Sequence, residues 1–138
     1  MDQHLFEAIV KQPINGVLAT NRHDGAPHLS PIWYLYEDGR FYISLGANSV
    51  KASNARRDPR VSLCIDEGHP EGRAVTINGS AELIDDESPW RDGLNWRITR
   101  HYHETEAAAR HYKENTPDWG PWSIMVVTPE KIYEHSDA

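Results

Sequence analysis

The stretch Phe41-Tyr-Ile-Ser-Leu-Gly-Ala-Asn-Ser-Val-Lys-Ala-Ser-Asn-Ala-Arg-Arg-Asp-Pro-Arg60 runs from an apolar strand straight into a polar-capped helix rich in cations. Ser49 follows a glycine-containing turn and is a good N-cap, so the free backbone N–H groups around Val50 and Lys51 point beyond the strand end. Such a helix start favours anions, and Lys51, Arg56, Arg57 and Arg60 add positive charge around it. Most charge runs are simply solvated helix faces. The segment before this one turns the reading towards a phosphate-binding corner.

From Asn15 to Asp66 the chain reads as strand, hairpin, strand, hairpin, strand, helix, strand. Gly16-Val-Leu-Ala-Thr20 is a short apolar run, and His23-Asp-Gly25 supplies a turn with glycine for positive φ. Leu29-Ser-Pro-Ile-Trp-Tyr-Leu-Tyr36 reads as one strand, which Glu37-Asp-Gly39 turns back into Phe41-Tyr-Ile-Ser-Leu45. After the helix, Arg60 to Asp66 alternates, with Val61, Leu63 and Ile65 on one face, and an antiparallel meander follows. Arg73 to Ile84 points Val75, Ile77, Ala81 and Leu83 inward, with Gly79 a bulge or a site of close backbone approach.

Outside the meander, Asp2 to Gln12 reads as a short amphipathic helix with Leu5, Phe6, Ile9 and Val10 on one side, ended by Pro13. Pro89 to His103 and Glu106 to Glu114 read as helices, the first opened by Ser88 and Pro89 as N-cap and N1. The loop Thr116 to Trp122 leads into closing strands from Ser123 to Glu134. Six or seven short strands with helices outside predict a mainly β, partly open antiparallel barrel.

At 138 residues, 38% hydrophobic and 25% charged, the chain is read as a single domain spanning 1–138 with enough length for a core. No apolar run is long enough to span a bilayer and no charged-then-apolar leader is seen, so the expectation is a cytoplasmic protein without a membrane partner. A net charge of −7 argues against nucleic acid, whose backbone needs an extended basic surface. One cysteine excludes an internal disulfide; Cys64 alternates with core residues and reads as a structural thiol.

The ordered set Gly16-Val-Leu-Ala-Thr20, Asp24-Gly25, Ser30-Pro-Ile-Trp-Tyr34 and Lys51-x-x-Asn54-x-x-Arg57-Asp-Pro-Arg-Val61 resembles the split β-barrel flavin and deazaflavin oxidoreductases. These are the pyridoxamine 5'-phosphate oxidase-like proteins, and the set looks closest to the branch that uses coenzyme F420. The resemblance implies a six- to seven-stranded antiparallel split barrel with flanking helices. It also implies a homodimer with the cofactor in a groove between subunits, an assembly to which five tryptophans and six tyrosines lend compositional support. It places Ser30, Pro31, Ile32 and Trp33 along the isoalloxazine-like ring, Ser44 and Leu45 beside the ring and its side chain, and Lys51, Asn54 and Arg57 at the phosphate or anionic tail, next to the helix start that the residues themselves assign to the Ser49 cap.

The chemistry implied is hydride transfer between coenzyme F420 and an unsaturated small molecule, carried by the cofactor, with the protein supplying position and a dry cleft. No catalytic side chain is named by it. FMN is the alternative cofactor; F420 is preferred because its long anionic tail would engage several of Lys51, Arg56, Arg57 and Arg60. The chain departs from pyridoxamine phosphate oxidase itself in length and in lacking a longer arginine-bearing C-terminal segment, so that enzyme's own activity is not expected.

The residues leave two other classes open. A metal protein could be built on His101, His103, Glu104 and His111, but ligands sharing a helix face need spacings of three or four, and His101 and His103 are two apart; no metal site is expected. A non-catalytic flavin-binding protein is the other. Substrate selection would fall to the loops Gly68 to Gly72 and Trp119 to Trp122. Trp33 serves equally as core packing or as a ring contact, since alternation sets it opposite Ile32.

Overall fold

A computed structural model describes residues 2–118 and 120–136. Among them the elements are α1 (Gln3–Val10), β1 (Gly16–Asn21), β2 (Pro27–Ile32), β3 (Leu35–Glu37), β4 (Arg40–Gly46), α2 (Val50–Arg57), β5 (Arg60–Asp66), β6 (Arg73–Ile84), α3 (Pro89–His101), α4 (Glu106–Asn115) and β7 (Trp122–Ser136). The strands form one antiparallel seven-stranded sheet in the order β2-β1-β5-β6-β7-β4-β3. The sheet curls into a half-barrel: the partly open antiparallel barrel expected from the strand count, and the split barrel that the resemblance implies.

The expected single strand from Leu29 to Tyr36 is two. Its first half pairs with β1, ending at Gly16↔Ile32, and its second half pairs with β4, starting at Leu35↔Tyr42. Because β2 and β3 are opposite edges of the sheet, Trp33 and Tyr34 carry the chain across the seam. The Tyr34 N–H leaves the ladder and donates to the Tyr102 hydroxyl at 3.0 Å, which itself donates to the Ile14 carbonyl at 2.9 Å. One side-chain hydroxyl thereby satisfies two backbone groups at the crossing.

Alternation decides which side chains fill the curled sheet. Leu18, Ile32, Tyr34, Phe41, Ile43, Leu63, Ile65, Val75, Ile77, Met125 and Val127 form the inner core, into which α1 inserts Phe6, Ile9 and Val10 and α2 inserts Ala52 and Ala55. Each large apolar side chain buried there contributes roughly 1.5–3 kcal/mol. Ala81 and Leu83 pack against this core only partly buried. Gly79 sits at the register shift in β6, where a Cβ would collide with the Thr128 carbonyl oxygen, so close backbone approach explains the glycine. Cys64 lies on the outer face of β5, half-buried and free, rather than among the core residues.

The helices begin where expected. Asp2, Ser49, Ser88 and Thr105 each accept N–H groups of the first turn. The helix expected to reach His103 ends at His101, because Tyr102 and His103 close a tighter turn by donating to Thr99 and Arg100. On the sheet's outer face α3 packs Leu94 and Ile98 against Ile124 and Val126, with Trp33, Leu35, Tyr42, Ile84, Tyr102 and Trp122 partly buried around them.

Candidate functional site

A cleft of about 820 Å³ opens where β2 and β4 end, with the start of α2 on one side and α3 and α4 on the other. Six of the residues expected at the site line it: Pro31, Ile32, Trp33, Ser44, Leu45 and Lys51. Edge strands keep half of their N–H and C=O groups unpaired, so β2 brings backbone donors and acceptors to this wall. Lys51 reaches Ser30, its Nζ donating to Oγ at 3.4 Å.

The remaining expected residues lie beside or behind the cleft. Ser49 caps α2, accepting from Ala52 N–H at 3.3 Å and donating to the Gly46 carbonyl at 2.7 Å. The N–H groups of Val50 and Lys51 find no partner among the described residues. Asn54 is buried and donates to Thr20 Oγ1 at 3.1 Å, while its carbonyl accepts from Arg57 at 3.2 Å. Arg57 also donates to the Asn21 carbonyl and faces a second cleft. Lys51, Asn54 and Arg57 follow one another at intervals of three along α2, all turned towards β1 and β2.

The other two cations near the helix are already engaged. Arg56 makes a two-pronged pair with Asp85 at 2.7 and 2.8 Å. That pairing, with a hydrogen bond from Ser123, holds the Asp85 carboxyl at about 2, below its usual 3.8. Arg60 pairs with Asp58 at 2.8 Å and, with its own backbone N–H and Asn21, holds that carboxyl well below the usual range.

Sequence reasoning missed the opposite wall. Asp92, Asn95 and Thr99 of α3 line the cleft at helical spacing, and α4 adds Tyr112 and Lys113. Asn95 donates to Ser44 Oγ at 2.9 Å. The signal was present as a polar stripe at i, i+3 and i+7 in a helix otherwise read only for its caps. Trp33 stacks flat on Tyr102, centroids 4.8 Å apart at 6°, and meets Tyr112 at 5.2 Å. It is therefore both packed and cleft-lining. Burial pushes the Tyr102 hydroxyl up to about 12. On β2, one residue before Leu29, His28 has a buried Nδ1 with no partner among the described residues. Trp119, expected in a substrate loop, lies outside the described residues, while Gly120 and Trp122 do line the cleft.

Two of the histidines around the end of α3 and on α4 have protein partners. A His103 ring nitrogen sits 2.7 Å from the Thr99 carbonyl oxygen, and His111 pairs with Asn115. Among the described residues no three metal-ligating side chains gather, and no helix is long and apolar enough to cross a membrane.

The cleft's chemistry is that of a holder. Its described lining includes no cysteine or histidine, and Ser44 Oγ is partnered by the Asn95 amide. Aromatic walls, an edge of backbone donors and acceptors, and Lys51 at the end of that edge suit a flat heteroaromatic ring carrying an anionic arm.

Residues 3–136 match the pyridoxamine 5'-phosphate oxidase family. Among solved structures, a conserved hypothetical protein of Mycobacterium tuberculosis is 26% identical with a TM-score of 0.80, covering 99% of this chain and 85% of its own. An F420 reductase is 22% identical with a TM-score of 0.73, covering 92% and 94% respectively. A FAD-binding protein of Mesorhizobium loti is 22% identical with a TM-score of 0.68, covering 99% and 96%.

Proposed function

We propose, from the premise that the chain belongs to the pyridoxamine 5'-phosphate oxidase family, that it is an oxidoreductase holding coenzyme F420 in the cleft between β2, β4 and α3. The observation that carries this reading is the placement of Lys51. It stands at the end of a wall made by Pro31, Ile32 and Trp33, so that a ring on that wall can hand its phosphate to Lys51 and the free N–H groups at the start of α2. The bound deazaflavin would supply hydride transfer to an unsaturated small molecule. The chain's own residues would hold the ring's polar edge on β2 and exclude water with Trp33, Tyr112 and Trp122.

FMN is the second reading, and a specific observation favours it: Arg56 and Arg60 are committed to Asp85 and Asp58, leaving fewer cations for a long anionic tail than the sequence suggested. The FAD-binding relative lends support to a flavin as well. A flavin-binding protein without catalysis would use the same cleft.

A homodimer completes the proposal. The middle of the outer face of β2, β1, β5 and β6 presents Leu29, Pro31, Val17, Ala19, Ser62, Cys64, Thr76 and Asn78, none of them charged, with Arg60 and Asp66 at the two ends of β5, and Leu29 is 63% exposed. Pro31 belongs both to this face and to the cleft, so a second copy seated there would wall the cofactor.

The test is a fluorescence and absorbance titration of the purified protein with F420 and with FMN. Lys51→Ala should weaken the bound cofactor about tenfold to a hundredfold, since a hydrogen bond to a charged group is worth about 1.5–3 kcal/mol. Equal affinity in wild type and variant overturns the assignment, and submicromolar FMN binding with no F420 binding at low salt reverses the choice of cofactor.

A further inference from the structure

A second cleft, of about 550 Å³, lies at the far end of α2, lined by Asn21, Arg22, His23, Arg57, Asp58 and Arg60 and by the turn glycine Gly25. Its charge does not cancel. Asp58 is satisfied by Arg60, Asn21 and a backbone N–H, which leaves Arg57 and Arg22 uncompensated. Arg57 is held in place through the Asn21 carbonyl and Asn54, with other guanidinium N–H groups still available. Arg22, exposed on the turn after β1, closes that turn through its backbone with Ala26 and Gly25, while its guanidinium makes no hydrogen bond or ion pair among the described residues. In a chain of net charge −7, two arginines converging without a carboxylate for either form a local anion trap.

This cleft is in line with the first. Lys51 and Arg57 stand six positions apart on α2, about 9 Å along the axis. The β2 edge runs beside them, from Ile32 past Ser30 to the Asn21↔Pro27 pair at the second cleft. We propose that the Arg22–Arg57 cleft is a carboxylate subsite that receives the acidic tail of a cofactor whose phosphate rests at Lys51. The inference rests on the deazaflavin reading. It replaces Arg56 and Arg60, which are paired, with Arg22, a residue from another element. Planar guanidinium forks match carboxylates two bonds at a time, so a chain of carboxylates suits this cleft better than a single compact phosphate, which Lys51 already serves.

The experiment is a fluorescence titration of the full chain with F420 bearing several tail glutamates, with the same deazaflavin phosphate bearing none, and with FMN. Wild type is compared with Arg22→Ala and Arg22→Lys; melting temperature is measured for each, and an exposed turn position should leave it unchanged. The expected result is an approximately tenfold loss for the glutamate-bearing ligand in Arg22→Ala, part recovery in Arg22→Lys, and no change for the other two ligands. The salt dependence should also flatten for that ligand alone. Equal wild-type affinity for tailed and tail-free deazaflavin, or an Arg22→Ala loss shared by all ligands, overturns the subsite while leaving the cofactor reading intact. Failure of wild type to bind either deazaflavin overturns the cofactor reading and the subsite with it.

Discussion

Inside the rolled sheet, Leu18, Phe41, Ile43, Leu63 and Ile77 are sealed from water, whereas outside it Trp33, Tyr42 and Trp122 surround Leu94 and Ile98 and stay partly open. The two clusters share strands and differ in what closes them. The inner one is closed by the sheet itself and two helices. The outer one is closed only by α3 and α4, and the part they leave uncovered is the cleft. Apolar surface left open beside polar strand edges is where a ligand gains from burial, so the incompleteness of the second cluster is its use.

Truncation inside the sealed cluster should give the largest effect. Leu63→Ala is expected to cost about 2–5 kcal/mol in denaturant unfolding, because the surrounding sheet cannot collapse onto the gap. Trp33→Ala should cost less stability and lower cofactor affinity instead. Were the tryptophan variant as unstable as the leucine variant with cofactor binding intact, the distinction between the two clusters would fail.

The contact between the clusters is finer. Tyr102→Phe keeps the stack on Trp33 but strips the hydroxyl from Tyr34 N–H and the Ile14 carbonyl. A loss of about 1–3 kcal/mol should follow, the cost of a buried backbone group left alone. An unchanged unfolding midpoint would mean that water replaces the hydroxyl and that the seam is wet.

The smallest effect concerns the rim, where Asp85 joins α2 to β7. Its carboxyl is held at about 2 against an ordinary 3.8, chiefly by Arg56. The stability this brings is present above pH 4, where the unfolded carboxyl is ionised, and is lost as pH falls through about 2. Asp85→Asn should thus be less stable than wild type near neutrality, with the gap narrowing on acidification from pH 4 to 2. A gap independent of pH would show that packing, and not charge, holds α2 there.

How far the sequence could be read follows from the same contrast. The inner cluster was legible because a strand half in the core repeats every two residues, and Val61, Leu63 and Ile65 or Val75 and Ile77 obey that repeat. The seam was not. Leu29 to Tyr36 is chemically continuous, and only long-range pairing with β1 and β4 decides that it breaks after Ile32. Lys51 was legible from a cap and a cation at a strand exit. Its neighbours Arg56, Arg57 and Arg60 were indistinguishable by type, since what separates them is the position of Asp85, Asn21 and Asp58 in space. The α3 wall was hidden because the stripe Asp92, Asn95 and Thr99 acquires meaning only against β4.

One consequence of the seam concerns time. The Tyr34 amide depends on a hydroxyl carried by a different element, so it is freed whenever the end of α3 lifts, with neither strand unfolding. Its deuterium uptake would therefore run ahead of that of the neighbouring ladder amides and act as a clock for the breathing of the cleft's outer wall. A ring resting on Trp33, which lies against Tyr102, would slow that clock.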